Sequence, residues 1–431
     1  MSYTPNLLLK NVRPVGADFD GSKRFDVRIT NGKVAEIGKD LDSSDQEELH
    51  DAKGAYLSGG WMDMHVHLRE PGQEHKETIE TGCAAAAFGG FTEVACMPNT
   101  NPPIHTRDVV EFIKKKAEKL AVEVHPIGCV SKEREGKSIA EMADMKEGGA
   151  VAFSDDGDPV YDSQLMRIAL EYSSMLGMPI INHEEDLKLS RPGHMNEGRV
   201  SARLGVDGTP GIAEEAMIAR DLLLAEFTGG HIHVAHISTA KAVDLVRRAK
   251  AEGVNVTTEV CPHHFDLTDE EIERRNFDTN VKMHPPLRTQ EDVDAMIEGL
   301  ADGTIDAICT DHAPHSIEEK EVEFIYAPNG IIGLETAWSV SVSQLLESKA
   351  LDLQALLKKF VENPRKILNL KVPQIKEGTT ANLTLFNTDE KWTFDEKTVH
   401  SKSKNSPYLG SEMTGRAEAI YNKGRFVVNE I

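Results

Sequence analysis

From about residue 61 onward, short apolar, β-branched runs alternate with stretches of helical spacing, and this alternation predicts a chain of repeated strand–helix units. Strands are expected at 61–68, 91–97, 122–129, 150–153, 179–183, 231–236, 254–260 and 305–311. Helices are expected between them at 78–88, 107–120, 163–176, 212–226, 239–251 and 291–300. Strands that alternate with helices form a parallel sheet, and eight of them in about 250 residues predict an α/β fold of the (β/α)8 TIM-like barrel type. A doubly wound open sheet is the alternative, but the Gly-rich phosphate fingerprint after its first strand is missing.

The first 58 residues follow another pattern. Residues 7–12 are one apolar run, and the strands expected at 25–30 and 33–37 flank Asn31-Gly32, a dipeptide suited to a type I′ hairpin turn. Gly59-Gly60 marks the change to the barrel pattern. After Pro364 and Pro373, strand-like text returns at 381–386 and 417–428. The expected organisation is therefore a barrel over 59–365, with 1–58 and 366–431 combining into a small composite β domain. Three connections, 184–211, 262–290 and 312–335, are far longer than the usual two to six residues. Each follows a strand, which puts it on the face where such barrels carry their active sites.

Composition narrows the function. With 39% apolar and 28% charged residues the chain is ordinary globular material, and its formal charge of −23 disfavours nucleic acid and anionic membranes as partners. An anionic small-molecule substrate would then need metal ions or a few local cations to reverse the field in its pocket. The five cysteines, at 83, 96, 129, 261 and 309, lack paired spacing and suit reduced thiols in a cytosolic protein. The N-terminus lacks a basic region followed by an apolar core, and there is no run of about 18 apolar residues, so a soluble, cytoplasmic protein is expected.

Asp63, His65 and His67 alternate along the first barrel strand, so all three are expected to share one face and point into the barrel. His-x-His alone is weak, because His231-Ile-His233 repeats it in this chain. Position strengthens it. His65 and His67 close strand one, Asp155 and Asp156 follow strand four, His183 closes strand five, His236 strand six and Asp311 strand eight. All converge on one rim, and so many imidazole and carboxylate ligands suggest two metals sharing a bridging carboxylate. Spacing alone leaves Asp155 and Asp156 both open as that bridge. Arg69, two residues beyond His67, is a candidate bidentate clamp for a substrate carboxylate. His263 and His264 are expected to point oppositely and so not to share a metal. His105, His125, His231 and His233 are expected in core or surface roles, and Met97 and Met283 in packing.

The segments Asp63-Met-His-Val-His-Leu-Arg-Glu-Pro-Gly72, Met97-Pro-Asn-Thr100, Phe153-Ser-Asp-Asp-Gly157 and Thr310-Asp-His-Ala-Pro-His315 resemble, in order, the motifs of class I dihydroorotases. The similarity runs from Gly59 through Glu362-Asn-Pro-Arg365 to Glu377-Gly378 and Ala381-Asn-Leu-Thr-Leu385. The resemblance implies two Zn²⁺ ions per subunit, one on His65 and His67, the other on His183 and His236. It makes Asp156 the bridge where many relatives use a carboxylated lysine, and Asp311 both a metal-site residue and the general acid and base. It further implies that Asn99 joins Arg69 on the substrate carboxylate, that His315 also binds substrate, and that His312 is structural. Asn329 and Gly330, in Ala327-Pro-Asn-Gly-Ile331, would touch the ring through backbone groups. In Lys282-Met-His-Pro-Pro-Leu-Arg288 the family's usual substrate-contacting asparagine is replaced by His284.

The implied activity is the reversible cyclisation of N-carbamoyl-L-aspartate to L-dihydroorotate in pyrimidine biosynthesis, in a homodimer that could associate with aspartate carbamoyltransferase. Two alternatives remain. An allantoinase or hydantoinase shares the reaction type but more typically has the carboxylated lysine and lacks an arginine after His-x-His. A non-catalytic partner of aspartate carbamoyltransferase should have lost metal ligands, whereas all six positions are filled here.

Overall fold

The computed structural model describes residues 3–190 and 192–429. Strands Trp61–Val66, Phe91–Cys96 and Glu123–Pro126 form one parallel sheet; Ile180–Asn182, Ile232–Val234, Val256–Val260 and Ala307–Ile308 form another. Phe153 joins the two, bridging in parallel to Gly128 on one side and Ile180 on the other. Val66 and His312 close the ring. The eight positions form the expected parallel barrel. The fourth differs from expectation because only Phe153 bridges, yet main-chain bonds still hold it in line, from Val151 N to Pro126 O (3.1 Å) and from Ile181 N to Phe153 O (2.8 Å).

Helices Ile79–Phe88, Arg107–Ala117, Ser163–Leu176, Ile212–Thr228, Ala240–Ala251 and Gln290–Asp302 lie where helical spacing predicts them. Their starts are set locally. Thr78, Asp162, Thr239 and Thr289 each accept a backbone N–H from the first turn, satisfying a donor that no helical carbonyl can reach. Among the described residues, no helix is long and apolar enough to cross a membrane.

The barrel interior holds a compact cluster of Met62, Met64, Ala95, Met97, Ile127, Ala152, Ile181, Ala235, Cys261, Ala307 and Cys309, with Ile367 and Leu368 against it. Trp61, Val66 and Leu68 instead belong to the larger layer between strands and helices. The inward alternation of strand one therefore runs through 62 and 64 and then steps by one. The register with strand two is irregular between Asp63 and Val66, which is the signature of a bulge. The step turns His65 and His67 toward the mouth.

The small β domain is a mixed sheet whose strands run in the order Arg425–Val428, Ala417–Asn422, Leu383–Phe386, Tyr56–Gly59, Leu7–Gly16, Phe25–Thr30 and Lys33–Gly38. N- and C-terminal segments meet where Leu383 lies opposite Gly59 and Phe386 opposite Tyr56. Asn31 (φ 51°) and Gly32 (φ 72°) both adopt the left-handed region that a type I′ turn requires. Among the described residues, the long connections after strands five, seven and eight contain only short helices, Leu187–Ser190, Arg199–Leu204, Glu270–Arg274 and Ile317–Lys320, one short two-stranded ladder and 3-10 turns.

Candidate active site

At the C-terminal rim, three strands bring His65, His67, Asp156 and Asp311 together. His65 Nε2 lies 3.3 Å from Asp156 Oδ1 and 3.6 Å from Asp311 Oδ1. His67 Nε2 lies 3.5 Å from Asp156 Oδ2 and 2.9 Å from Asp311 Oδ1. His236 Nε2 is 3.9 Å from Asp156 Oδ1 and 2.9 Å from His183 Nδ1. Two triads, His65 with Asp156 and His236, and His65 with His67 and Asp311, each have donor atoms close enough to hold one metal ion. His236 (φ 29°) and Asp311 (φ 46°), like Arg69 (φ 60°), sit in left-handed backbone that disfavours their side chains. Such strain clusters where geometry is over-determined by function.

The ring tautomers point the same way. His65 Nδ1 donates to Glu259 Oε1 (2.7 Å), and His67 Nδ1 donates to Asn99 Oδ1 (2.8 Å), so in both rings Nε2 is the nitrogen left to face the cluster. Among the described residues, buried His65 Nε2 and Asp156 Oδ1 have no hydrogen-bond partner, nor does His236 Nδ1. Buried polar atoms are almost always paired, so unpartnered atoms within a nitrogen and carboxylate cluster fit a cation. Electrostatics agree. Burial opposes charge on His65, but Asp156 and Glu259 outweigh it and hold the imidazole well above its ordinary value. Burial likewise disfavours the Asp156 and Asp311 carboxylates, yet the surrounding histidines hold both below the ordinary range.

Asp155 and Asp156, adjacent in sequence, face different ways. Asp155 accepts the Val130 and Ser131 N–H groups (2.9 and 3.0 Å) and the Ser131 hydroxyl, tying the loop after strand three to the loop after strand four. Only Asp156 reaches the histidine cluster. Asp63 departs from the shared-face expectation because the bulge separates it from His65; its carboxylate accepts the N–H groups of His65 (3.0 Å) and Thr310 (3.1 Å).

Arg69 is buried, 8% exposed, with Nε donating to Pro314 O (3.1 Å) and Nη2 3.4 Å from His315 Nε2. Burial pulls its guanidinium down to about 10, so it remains a cation at neutral pH. Burial, with Arg69 and Lys320 nearby, lowers His315 to about 3. His315 Nε2 also contacts Asn329 O (2.9 Å). Asn99 is placed on His67 and, through Nδ2, 3.4 Å from Asp156 Oδ2. Gly330 donates its N–H to Lys282 O (3.0 Å) and accepts from Asn405 at its carbonyl (3.0 Å). His284 stacks on His183, with ring centroids 5.2 Å apart, and contacts Glu185 Oε2 through Nε2 (2.9 Å).

His263 and His264 depart from expectation. They lie on the 3-10 turn Pro262–His264 rather than on a strand, so their rings come within 4.3 Å instead of pointing apart. His312 is buried between Glu77 and the Gly333 N–H, His125 pairs with Glu93, and His233 faces Glu259. All five cysteines are free and buried. Glu259 and Glu185 had no assigned role in the sequence. A signal for Glu259 was available, since a carboxylate inside the β-branched run Val256-Thr-Thr-Glu-Val260 has to find a partner when buried.

Comparison with known proteins agrees with this geometry. A Dihydro-orotase-like family model matches residues 54–242. The chain is 49% identical over 426 residues to the dihydroorotase of Syntrophus aciditrophicus (strain SB), covering 98% of this chain and 99% of that protein. It is 50% identical over 406 residues to the dihydroorotase of Pelotomaculum thermopropionicum, covering 94% of each. Among solved structures, the L-hydantoinase (dihydropyrimidinase) of Arthrobacter aurescens superposes with a TM-score of 0.87 at 26% identity, over 98% of this chain and 96% of that one. A likeness of this extent, in a barrel whose rim gathers histidines and carboxylates around unpartnered nitrogens, makes the chain a member of the dihydroorotase family of cyclic amidohydrolases.

Proposed function

We propose that this protein interconverts L-dihydroorotate and N-carbamoyl-L-aspartate, and that His65, His67, Asp156, His183, His236 and Asp311 are the residues that would hold two zinc ions, Asp156 being the carboxylate that would serve both. The donor chemistry supports zinc, since imidazole and carboxylate suit it, and when bound it would supply Lewis acidity and lower the pKa of water toward neutrality. The observation that carries the reading is the convergence of these side chains on one rim, beside a buried cationic arginine.

In ring opening, Asp311 takes the proton of the attacking water and passes it to the ring nitrogen as the amide C–N bond breaks. In cyclisation it removes the proton of the ureido nitrogen as that nitrogen closes on the carboxyl carbon, then returns it to the departing oxygen, which leaves as water with one further proton drawn from solvent. Its position 2.9 Å from His67 supports this role. Arg69 clamps the substrate carboxylate with Asn99 and His315, and His284, Asn329 and Gly330 complete the pocket. We extend the reading to a cytoplasmic homodimer, with aspartate carbamoyltransferase as a candidate partner, and to a chain divided at residues 58 and 365.

The test is a spectrophotometric assay in both directions on metal-quantified protein, with hydantoin and allantoin in parallel. Zinc-dependent turnover of dihydroorotate is expected, and Asp311→Asn should lower kcat by about 10²- to 10⁴-fold, the usual worth of a general acid or base. Turnover of hydantoin or allantoin alone would overturn the carboxylate clamp. No metal-dependent turnover of any of the three would overturn the enzymatic reading.

A further inference from the structure

Two lysines outside the metal cluster lie almost fully buried where the connections after strands seven and eight cross. Lys282, 4% exposed, sends Nζ into the carbonyls of Phe324, Ile325 and Ala327 at 2.8, 3.0 and 2.8 Å, using all three ammonium donors. Lys320, 5% exposed, runs in the opposite direction, with Nζ on Thr279 O (3.0 Å), Pro328 O (2.9 Å) and, at the limit, Lys282 O (3.5 Å). The crossing is reciprocal, since Thr279 Oγ1 donates to Lys320 O (2.7 Å) and Gly330 N to Lys282 O (3.0 Å). Each loop thus contributes one ammonium group and receives the other's.

Burying an ammonium group is costly unless each of its donors is satisfied. Irregular loops offer what is needed, carbonyls aimed at a side-chain donor rather than along a helix or sheet, and Thr279 O accepts from Lys320 beside the Lys282 N–H (3.1 Å) that closes its 3-10 turn. The segment so fixed, 324–330, carries the Asn329 carbonyl that meets His315, while Lys282 is two residues from His284. On the other side, Glu319 binds Lys76 (2.9 Å) and His315 Nδ1 (3.2 Å), so helix Ile317–Lys320 is tied at both edges.

We propose that Lys282 and Lys320 form a reciprocal clasp that holds the two long loops in register, and that both are positioning residues for the substrate pocket. The inference rests on the assignment of His284, His315, Asn329 and Gly330 to that pocket. The clasp fixes where they stand, so its loss acts on binding and leaves the metal chemistry in place.

The test combines steady-state kinetics with amide hydrogen exchange on the zinc-loaded full chain. In the wild type, amides of 323–330 should exchange at least 100-fold more slowly than free chain. Lys282→Met and Lys320→Met should each raise KM about 10-fold or more for both substrates, change kcat by less than 3-fold, keep the zinc content, and speed exchange within 279–284 and 323–330 only. The double variant should show less than the product of the two single effects, because both lysines secure one crossing. Random-coil exchange of 323–330 in the wild type would overturn the clasp without any variant having to fold. Unchanged KM and exchange in both variants would also overturn it. A wild type that leaves dihydroorotate untouched would refute the substrate assignment alone, since the exchange comparison decides the clasp separately.

Discussion

Arg365 tests whether the barrel's N-terminal end is held by a buried charge pair. Fully buried in the short helix Asn363–Ile367, it donates to Glu93 Oε1 through Nη2 (2.9 Å) and, through Nη1, to Gly60 O (2.8 Å) and Val361 O (2.7 Å). Glu93 also binds His125 (2.9 Å) and Asn382 (2.7 Å), so one carboxylate joins strands two and three, the C-terminal helix and the β domain. Burial alone would raise Glu93, but His125 and Arg365 outweigh it and bring the carboxyl from 4.5 down to about 2. At roughly 1.4 kcal/mol per pKa unit, that difference corresponds to about 3 kcal/mol of folding stability. Arg365→Met leaves Glu93 buried and two carbonyls without their donor, and should cost about 3–5 kcal/mol.

The sign of the pH effect follows from the lowered value. Glu93's contribution is complete above its unfolded value near 4.5 and disappears as pH falls from there through about 2. The gap between wild type and variant in urea unfolding, followed by circular dichroism on metal-saturated protein, should therefore be widest at pH 7 and narrow below pH 4.5. Adding Glu93→Gln to the variant should recover part of the loss. A cost below about 1 kcal/mol at pH 7, or the same cost in the Glu93→Gln background, would refute the reasoning.

Three further outcomes are expected. Arg69→Lys keeps the charge but loses the planar fork, so KM for dihydroorotate should rise about 10-fold or more with zinc content unchanged, as read from initial rates and metal analysis. Glu259→Gln weakens the acceptor that orients His65 and should lower zinc affinity about 10- to 100-fold in a metal-buffer titration, while saturating zinc restores most of kcat. His284→Asn restores the residue usual in the family and frees Glu185 from its 2.9 Å contact; it should retain kcat within about 3-fold, and a larger loss would show that this chain depends on the imidazole.

Much of the candidate site was legible because its residues end strands, and strand periodicity is a local property that sequence records directly. His65, His67, His183, His236 and Asp311 were found by counting strands, and the type I′ hairpin by its Asn-Gly pair. Where two readings shared one local pattern, the sequence was silent. Asp155 and Asp156 occupy the same loop, and only the approach of the Val130–Ser131 backbone decides which one turns to the histidines. The shared face expected of Asp63, His65 and His67 failed because a bulge shifted the alternation, and pairing with the neighbouring strand sets that shift. His263 and His264 were misplaced for a similar reason, since a strand was extended into what is a 3-10 turn.

The chain by itself determined the repeating units, the hairpin and the strand ends that carry the candidate ligands, because each follows from spacing within a few residues, and its composition determined the acidic balance. The tertiary structure alone decided which partners those residues meet. Glu259 orients His65 across 194 positions, Arg365 meets Glu93 across 272, and Lys282 caps carbonyls 42 to 45 residues away. Closing the barrel makes neighbours of strand ends far apart in sequence, and burial there obliges every charge to find a partner that no local pattern names.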